Sequence, residues 1–134
     1  MDADRPNQKP VATEHDTEGY AVIGACFEVH NQLGSGFLEE VYQESLEIEL
    51  AACGIPFVAQ PKLPVLYKGR PLRKHYEADL LVFGKILVEL KAVRALLPEH
   101  EAQLLNYLKA TGHRTGHLVN FGAFPKLDWR RRLL

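Results

Sequence analysis

A chain of 134 residues with a formal net charge of -1 has room for one domain with a sizeable core, and its charge excludes a protein that coats nucleic acid by bulk positive charge, though not one with a local basic groove. With 46% apolar and 25% charged residues the composition is that of a globular protein, not of a fibrous or fully disordered one. No basic start followed by an apolar run marks a signal peptide, and no apolar stretch approaches the ~20 residues of a membrane span, so a cytoplasmic protein with no membrane partner is expected.

Residues 1–16 are polar, carry Pro6 and Pro10 and show no period; they read as a disordered leader ahead of a single domain over 17–134. From Thr17 or Glu18, apolar residues at helical spacing (Tyr20, Ile23, Ala25, Cys26, Phe27, His30) predict a first helix that Gly34-Ser35-Gly36 ends. A second helix is expected over 38–52, with Val41, Tyr42, Ser45, Leu46, Ile48 and Ala52 at a 3–4 period, Gly54 as its stop and Pro56 beyond. Cys26 and Cys53 fall in these helices; they have no ligand spacing and make no disulfide framework, as suits a reducing compartment.

A strand follows from Phe57 through Tyr67, interrupted by Pro61 and Pro64, which suggest a sheet edge. Lys68-Gly69-Arg70-Pro71 reads as a turn, and Lys68, Arg70, Arg73, Lys74 and His75 form the densest basic cluster before the C-terminal arginines.

Residues 76–91 read as two apolar strands joined at Phe83-Gly84-Lys85. If that loop has three residues, Val82 pairs with Ile86 and Asp79 lies across from Glu89, with the two Cβ atoms about 5 Å apart. Glu89 and Lys91 share a face by the alternation of strand side chains. The opposite face (Ala78, Leu80, Val82, Ile86, Val88, Leu90) is wholly apolar and should be core. A Glu-x-Lys pair in a strand is most often a solvated ion pair. Here Leu81 and Leu87 make the charged face apolar as well, which points instead to a half-buried site. Two carboxylates that close repel unless a cation lies between them, and a hard divalent ion is the natural filler.

After the hairpin, Pro98 stands at the start of a helix over 99–111, with Ala102, Leu105 and Leu108 on one stripe and Gly112 as its stop. Residues 117–121 form a buried strand that Gly122 ends. Arg130, Arg131 and Arg132 read as a solvated end or, alternatively, as a phosphate track. The order is helix, helix, strand, hairpin, helix, strand: an α/β fold with a mixed central β-sheet flanked by helices.

Asp79, then Glu89-Leu90-Lys91, then a helix carrying Gln103 and Tyr107 resembles the PD-(D/E)XK nuclease superfamily, and the Gln-x-x-x-Tyr element resembles its RecB-like branch. Upstream, Gly36-Phe37-Leu38-Glu39-Glu40-Val41-Tyr42 matches the signature that names the GxxExxY protein family within that superfamily. Tyr67-Lys68-Gly69, Ala78-Asp79-Leu80-Leu81-Val82, the 102–112 segment and Asn120-Phe121-Gly122 extend the match over nearly all of 18–122. Asp-x(n)-Glu-x-Lys alone is a weak pattern; the ordered set of blocks is specific.

The resemblance implies a restriction-endonuclease-like core. It implies that Asp79 and Glu89 hold Mg²⁺ or Mn²⁺ with the Leu90 carbonyl, and that Glu39 adds a third carboxylate. Lys91 would orient or help deprotonate the attacking water, with Gln103 and Tyr107 beside the metal. A phosphodiester is anionic and repels hydroxide, so a carboxylate–metal–lysine set is what its hydrolysis needs. Arg70, Arg73 and Lys74 are expected nucleic-acid contacts. Simpler readings stand beside these. In these, Glu39 serves only the helix dipole, or yields its inward place to Glu40. Tyr107 reads equally as a core aromatic, Gln103 as an exposed residue, His30 as a packing histidine and His100 as a site-rim residue. Glu77 stands where members of the family often carry a basic residue, and in the hairpin register it shares the Asp79 face.

The expected function is a Mg²⁺-dependent phosphodiesterase acting on DNA or RNA with low sequence specificity, since the chain has little room for a separate sequence-reading module. A homodimer would supply two sites for two strands. The rivals are a catalytically idle nucleic-acid- or protein-binding module on the same fold, and a different metal-dependent hydrolase or toxin-like effector of cell growth.

Overall fold

In the computed structural model, which describes residues 16–134, the Asp16 side chain accepts the Gly19 amide at 3.0 Å and caps α1 (Thr17–Leu33). Asp16 is thus part of the folded chain; the rest of the expected leader, 1–15, lies outside the described residues. α2 (Glu39–Ala52) runs to Cys53, and Gly54, at φ 70°, turns the chain away from it. The next strand is two strands: β1 (Phe57–Ala59) and β2 (Lys62–Tyr67), with Pro61 between them. β3 (Arg70–Glu77), β4 (Leu80–Val82) and β5 (Ile86–Lys91) follow, then α3 (Pro98–Thr111), β6 (Thr115–Asn120) and β7 (Asp128–Leu133).

Five strands form one sheet in the order β1-β4-β5-β6-β7; β2 and β3 form a separate two-stranded sheet. β5 and β6 are parallel, joined through α3, and the other pairs are antiparallel, so the sheet is mixed as expected. α1 and α2 cover one face, where Val22, Ile23, Phe27, Tyr42, Leu46 and Leu50 pack on Leu80, Val82, Val88, Leu90 and Phe121. α3 and the hairpin cover the other, where Leu63, Leu104 and Leu108 pack on Leu87 and Leu118. Among the described residues no helix is long and apolar enough to cross a membrane.

Four expectations need correction. The 76–82 strand is broken: β3 ends at Glu77 and pairs with β2, Ala78 joins the α3-side core, Asp79 is a bend, and only 80–82 pair with β5. Alternation therefore does not carry from Glu77 to Asp79, and Glu77, exposed and opposite Lys62, belongs to the other sheet. On α2, Leu50 joins Tyr42 and Leu46 in the core, while Val41 and Ile48 face solvent. On α3 the buried residues are Leu104, Leu108 and Thr111; Ala102 is exposed. The C-terminal arginines are not a loose end: they lie in β7, where Glu101 and Asp128 pair with Arg130, Glu101 with Arg132 and Asp16 with Arg131.

Candidate active site

Three backbone devices bring the acidic residues of the hairpin and α2 together. The first is the turn between β4 and β5. Phe83 at φ 56° and Gly84 at φ 69° both take left-handed conformations, and the Lys85 amide donates to Val82 at 3.1 Å. This closure pairs Val82 with Ile86, as the expected three-residue loop requires, and sets Leu80 opposite Val88.

The second device fixes the Asp79 bend. Its carbonyl accepts the Gln60 amide at 2.9 Å and the Gln43 side-chain amide at 3.0 Å. Its carboxylate accepts the Leu90 amide at 2.7 Å. Asp79 is thus held to the β1 side, to α2 and to β5 at once, although no sheet ladder includes it.

The third device delivers Glu39. Gly36 takes φ 107°, a conformation that favours glycine. Tyr42, fully buried, stacks on Phe121 with ring centroids 4.7 Å apart. Its hydroxyl donates to Gly34 at 2.5 Å and accepts the Phe37 amide at 3.3 Å. The glycine makes the turn, the tyrosine fastens it, and Glu39 is the first residue of α2, three before the tyrosine and on its side of the helix.

Glu89 is the most perturbed carboxylate of the group. Burial pushes its proton affinity up to about 8, helped by the Asp79 charge and by a hydrogen bond between the two carboxyl groups. Tyr76, which donates its hydroxyl to Glu89 Oε1, and the Lys91 ammonium pull the other way. Glu39 is raised as well, by partial desolvation and then by Asp79, with Lys91 again opposing. Asp79, Glu89, Lys91 and Glu39 therefore act on one another within one electrostatic neighbourhood.

Tyr76 is the residue that sequence reading passed over. It sits at the root of the hairpin and stacks on Tyr107, with centroids 3.6 Å apart. Tyr107 in turn accepts a hydrogen bond from Gln103 Nε2 at 2.6 Å. Gln103 is exposed, and Gln103 and Tyr107 connect to Glu89 through Tyr76. The one available signal was an aromatic two residues before the basic-to-apolar switch at Ala78.

His30 is buried and bonded to the Ala123 carbonyl at 2.9 Å, a packing residue as one reading held. His100 Nδ1 accepts the Leu97 amide at 3.0 Å and so serves the start of α3. Behind Lys91, Asn120 clips the chain: its side chain accepts from the Val93 and Gly122 amides, both at 3.0 Å, and donates to the Val93 carbonyl at 2.9 Å.

The surroundings are polarised. On the α2 side a cleft of about 310 Å³ is lined by Glu39, Glu40, Glu44, Glu47 and Asp79 with Gln43 and Gln60. Arg70, Arg73 and Lys74 stand exposed on β3, in the two-stranded sheet. Among the described residues none of these three makes an ion pair.

Among the described residues no three His, Cys, Asp or Glu are grouped so as to hold a metal ion by themselves. The donors present are nonetheless hard oxygens. Mg²⁺ characteristically takes only one or two carboxylates and fills its other positions with water and substrate phosphate. The Asp79–Glu89 pair suits that ion.

Comparison with known proteins gives three findings. A family model described as the PD-(D/E)XK nuclease superfamily matches residues 16–132. The crystal structure of SSO0001 shares the fold, with a TM-score of 0.56 at 18% identity over 89% of this chain; the chain spans 60% of that protein's length. No curated protein matches.

Proposed function

The chain belongs to the PD-(D/E)XK nuclease superfamily, and from that membership we propose that it is a Mg²⁺- or Mn²⁺-dependent phosphodiesterase acting on DNA or RNA with low sequence specificity. The reading takes 17–134 as one catalytic unit, places it in the GxxExxY family with a RecB-like helix, and allows a homodimer for cutting two strands.

The observation that carries it is the Asp79 carboxylate fastened beside Glu89, accepting the amide of the next residue, Leu90, at 2.7 Å, with Lys91 and Glu39 within electrostatic reach. Two carboxyl groups packed together in a half-buried place are costly unless a proton or a cation separates them. A bound divalent ion would lower the pKa of its water and neutralise phosphoryl oxygens. Asp79 and Glu89 would hold that ion, with the rim carboxylate Glu39 reaching it through water. Lys91 orients the attacking water and shares the negative charge that grows on the phosphate. Tyr76 holds the Glu89 carboxyl in place by its hydrogen bond, and Tyr107 and Gln103 brace Tyr76 from α3. Arg70, Arg73 and Lys74 supply the positive ground on which the backbone of the substrate lies.

The test is cleavage of a mixed set of DNA and RNA substrates with Mg²⁺ or Mn²⁺, comparing the parent with Lys91→Ala. Metal-dependent cutting that disappears in the variant supports the proposal. Equal residual cutting by both proteins contradicts it and favours an idle binding module.

A further inference from the structure

The β2–β3 hairpin has features that its place in the fold does not require. Its register runs from Pro64 opposite His75 to Leu66 opposite Pro71, so Leu72, Arg73 and Lys74 together face Val65 alone. The extra residues of β3 form a bulge, and a bulge re-aims the side chains it carries. All three are exposed, Leu72 at 47%. At the tip, Lys68 (φ 50°) and Gly69 (φ 76°) turn the chain; Tyr67 is 62% exposed, with the Lys68 ammonium 5.6 Å from its ring centroid.

We propose that this hairpin is a single-strand grip: Tyr67 stacks on an unpaired base, while Lys68, Arg73 and Lys74 hold the flanking phosphates and lead that strand to Asp79 and Glu89. The inference rests on the nuclease reading for the direction of the strand, but not for the binding itself.

Three observations support it. An exposed aromatic beside cations on an extended ribbon is the chemistry that holds single strands, because every base has a π-face and every linkage a charge. The hairpin is also rooted in the site. Lys74 and Arg73 lie two and three residues before Tyr76, roughly 7–10 Å along a strand, and Tyr76 donates to Glu89. A backbone held at the bulge is then one or two nucleotides from the carboxylates. Finally, the other approach is closed by charge: the α2 cleft with Glu40, Glu44 and Glu47 repels phosphates. A duplex needs positive ground for both strands, and on the α2 side of Asp79 the described residues supply carboxylates instead.

The experiment measures fluorescence anisotropy of a labelled mixed-sequence oligonucleotide about 20 nucleotides long, single-stranded or as a blunt duplex, in chelator so that nothing is cut. The parent should bind the single strand at least tenfold more tightly than the duplex. Tyr67→Ala should weaken single-strand binding about tenfold, with Tyr67→Phe restoring it, since stacking needs the ring and not the hydroxyl. Arg73→Ala combined with Lys74→Ala should weaken binding and reduce the slope of log affinity against log salt by about 1.4, two phosphate contacts at about 0.7 each. Unchanged affinity in Tyr67→Ala, or a duplex bound as tightly as the single strand, overturns the grip whether or not the protein cuts. Single-strand binding that depends on Tyr67, in a protein that cuts nothing with any metal, sustains the grip and overturns the nuclease reading instead.

Discussion

The amide of Leu90 donates to Asp79 Oδ2 at 2.7 Å. Leu90 lies between Glu89 and Lys91, so this one bond ties the bend that carries Asp79 to the strand that carries the other two charged groups. The bond needs an oxygen on residue 79 and not a charge, which allows charge and position to be separated experimentally.

Asp79→Asn keeps an acceptor for the Leu90 amide and removes the negative charge. The fold should hold, with a melting temperature within a few degrees of the parent, while metal-dependent cleavage falls at least a hundredfold, the ~3 kcal/mol scale of one lost electrostatic group in a reacting site. Parallel thermal unfolding and single-turnover cleavage check both halves.

Tyr76→Phe keeps the stack on Tyr107 and deletes the hydroxyl that Glu89 accepts. Without that donor Glu89 holds a proton more tightly, so the half-saturating Mg²⁺ concentration at neutral pH should rise several-fold while the rate at saturating metal changes less. A metal titration of cleavage rate reads the two effects apart.

Asn120→Ala removes the clip behind Lys91 and leaves the Val93 amide and carbonyl without their side-chain partner. A fully buried unsatisfied group costs about 1–3 kcal/mol and these are part-buried, so denaturant unfolding should show a loss of roughly 1–3 kcal/mol. Gly122→Ala should be at least as damaging, because an added Cβ would lie 2.2 Å from the Val93 carbonyl oxygen.

His117 is fully buried, neither ring nitrogen has a hydrogen-bond partner among the described residues, and Trp129 packs at its edge. Burial pushes its proton affinity down to about 4, with Asp16 opposing and Arg131 adding to the shift. The folded value lies below the unfolded one of about 6.5, so the unfolded chain binds the proton first as pH falls. Stability from neutral His117 is therefore complete above about pH 6.5 and is lost down to about pH 4, by roughly 3 kcal/mol in all. Glu89, raised in the fold, tilts stability the opposite way over part of the same range. The effect is accordingly read as the difference between the parent and His117→Leu in urea unfolding at several pH values; the variant should lose less stability on acidification.

Much of this arrangement was legible in the chain because short-range rules set it. The helix stops at Gly34, Gly54 and Gly112, the Phe83-Gly84 closure and the resulting Val82–Ile86 register all follow from local backbone chemistry. The missed parts depend on tertiary neutralisation and on a change of partner. Arg130, Arg131 and Arg132 read as a solvated end or a phosphate track, and they form a strand in which Glu101, Asp128 and Asp16 meet them from elsewhere in the fold. The break at Ala78-Asp79 carries no glycine or proline; it is imposed by two sheets competing for one chain. The buried residues of α2 and α3 were misread in part because Val41, Ile48 and Ala102 are apolar without being covered. Tyr76 drew no notice because its role comes from Tyr107 and Glu89, distant in sequence.

The central claim is that Asp79 and Glu89 share one divalent ion beside Lys91. Crystals soaked in Mn²⁺ and measured for anomalous scattering test it most directly. The account predicts a single strong peak bridging the two carboxylates, absent in Asp79→Asn. A peak lying only among Glu40, Glu44 and Glu47 in the α2 cleft, or no peak at saturating Mn²⁺, would contradict it.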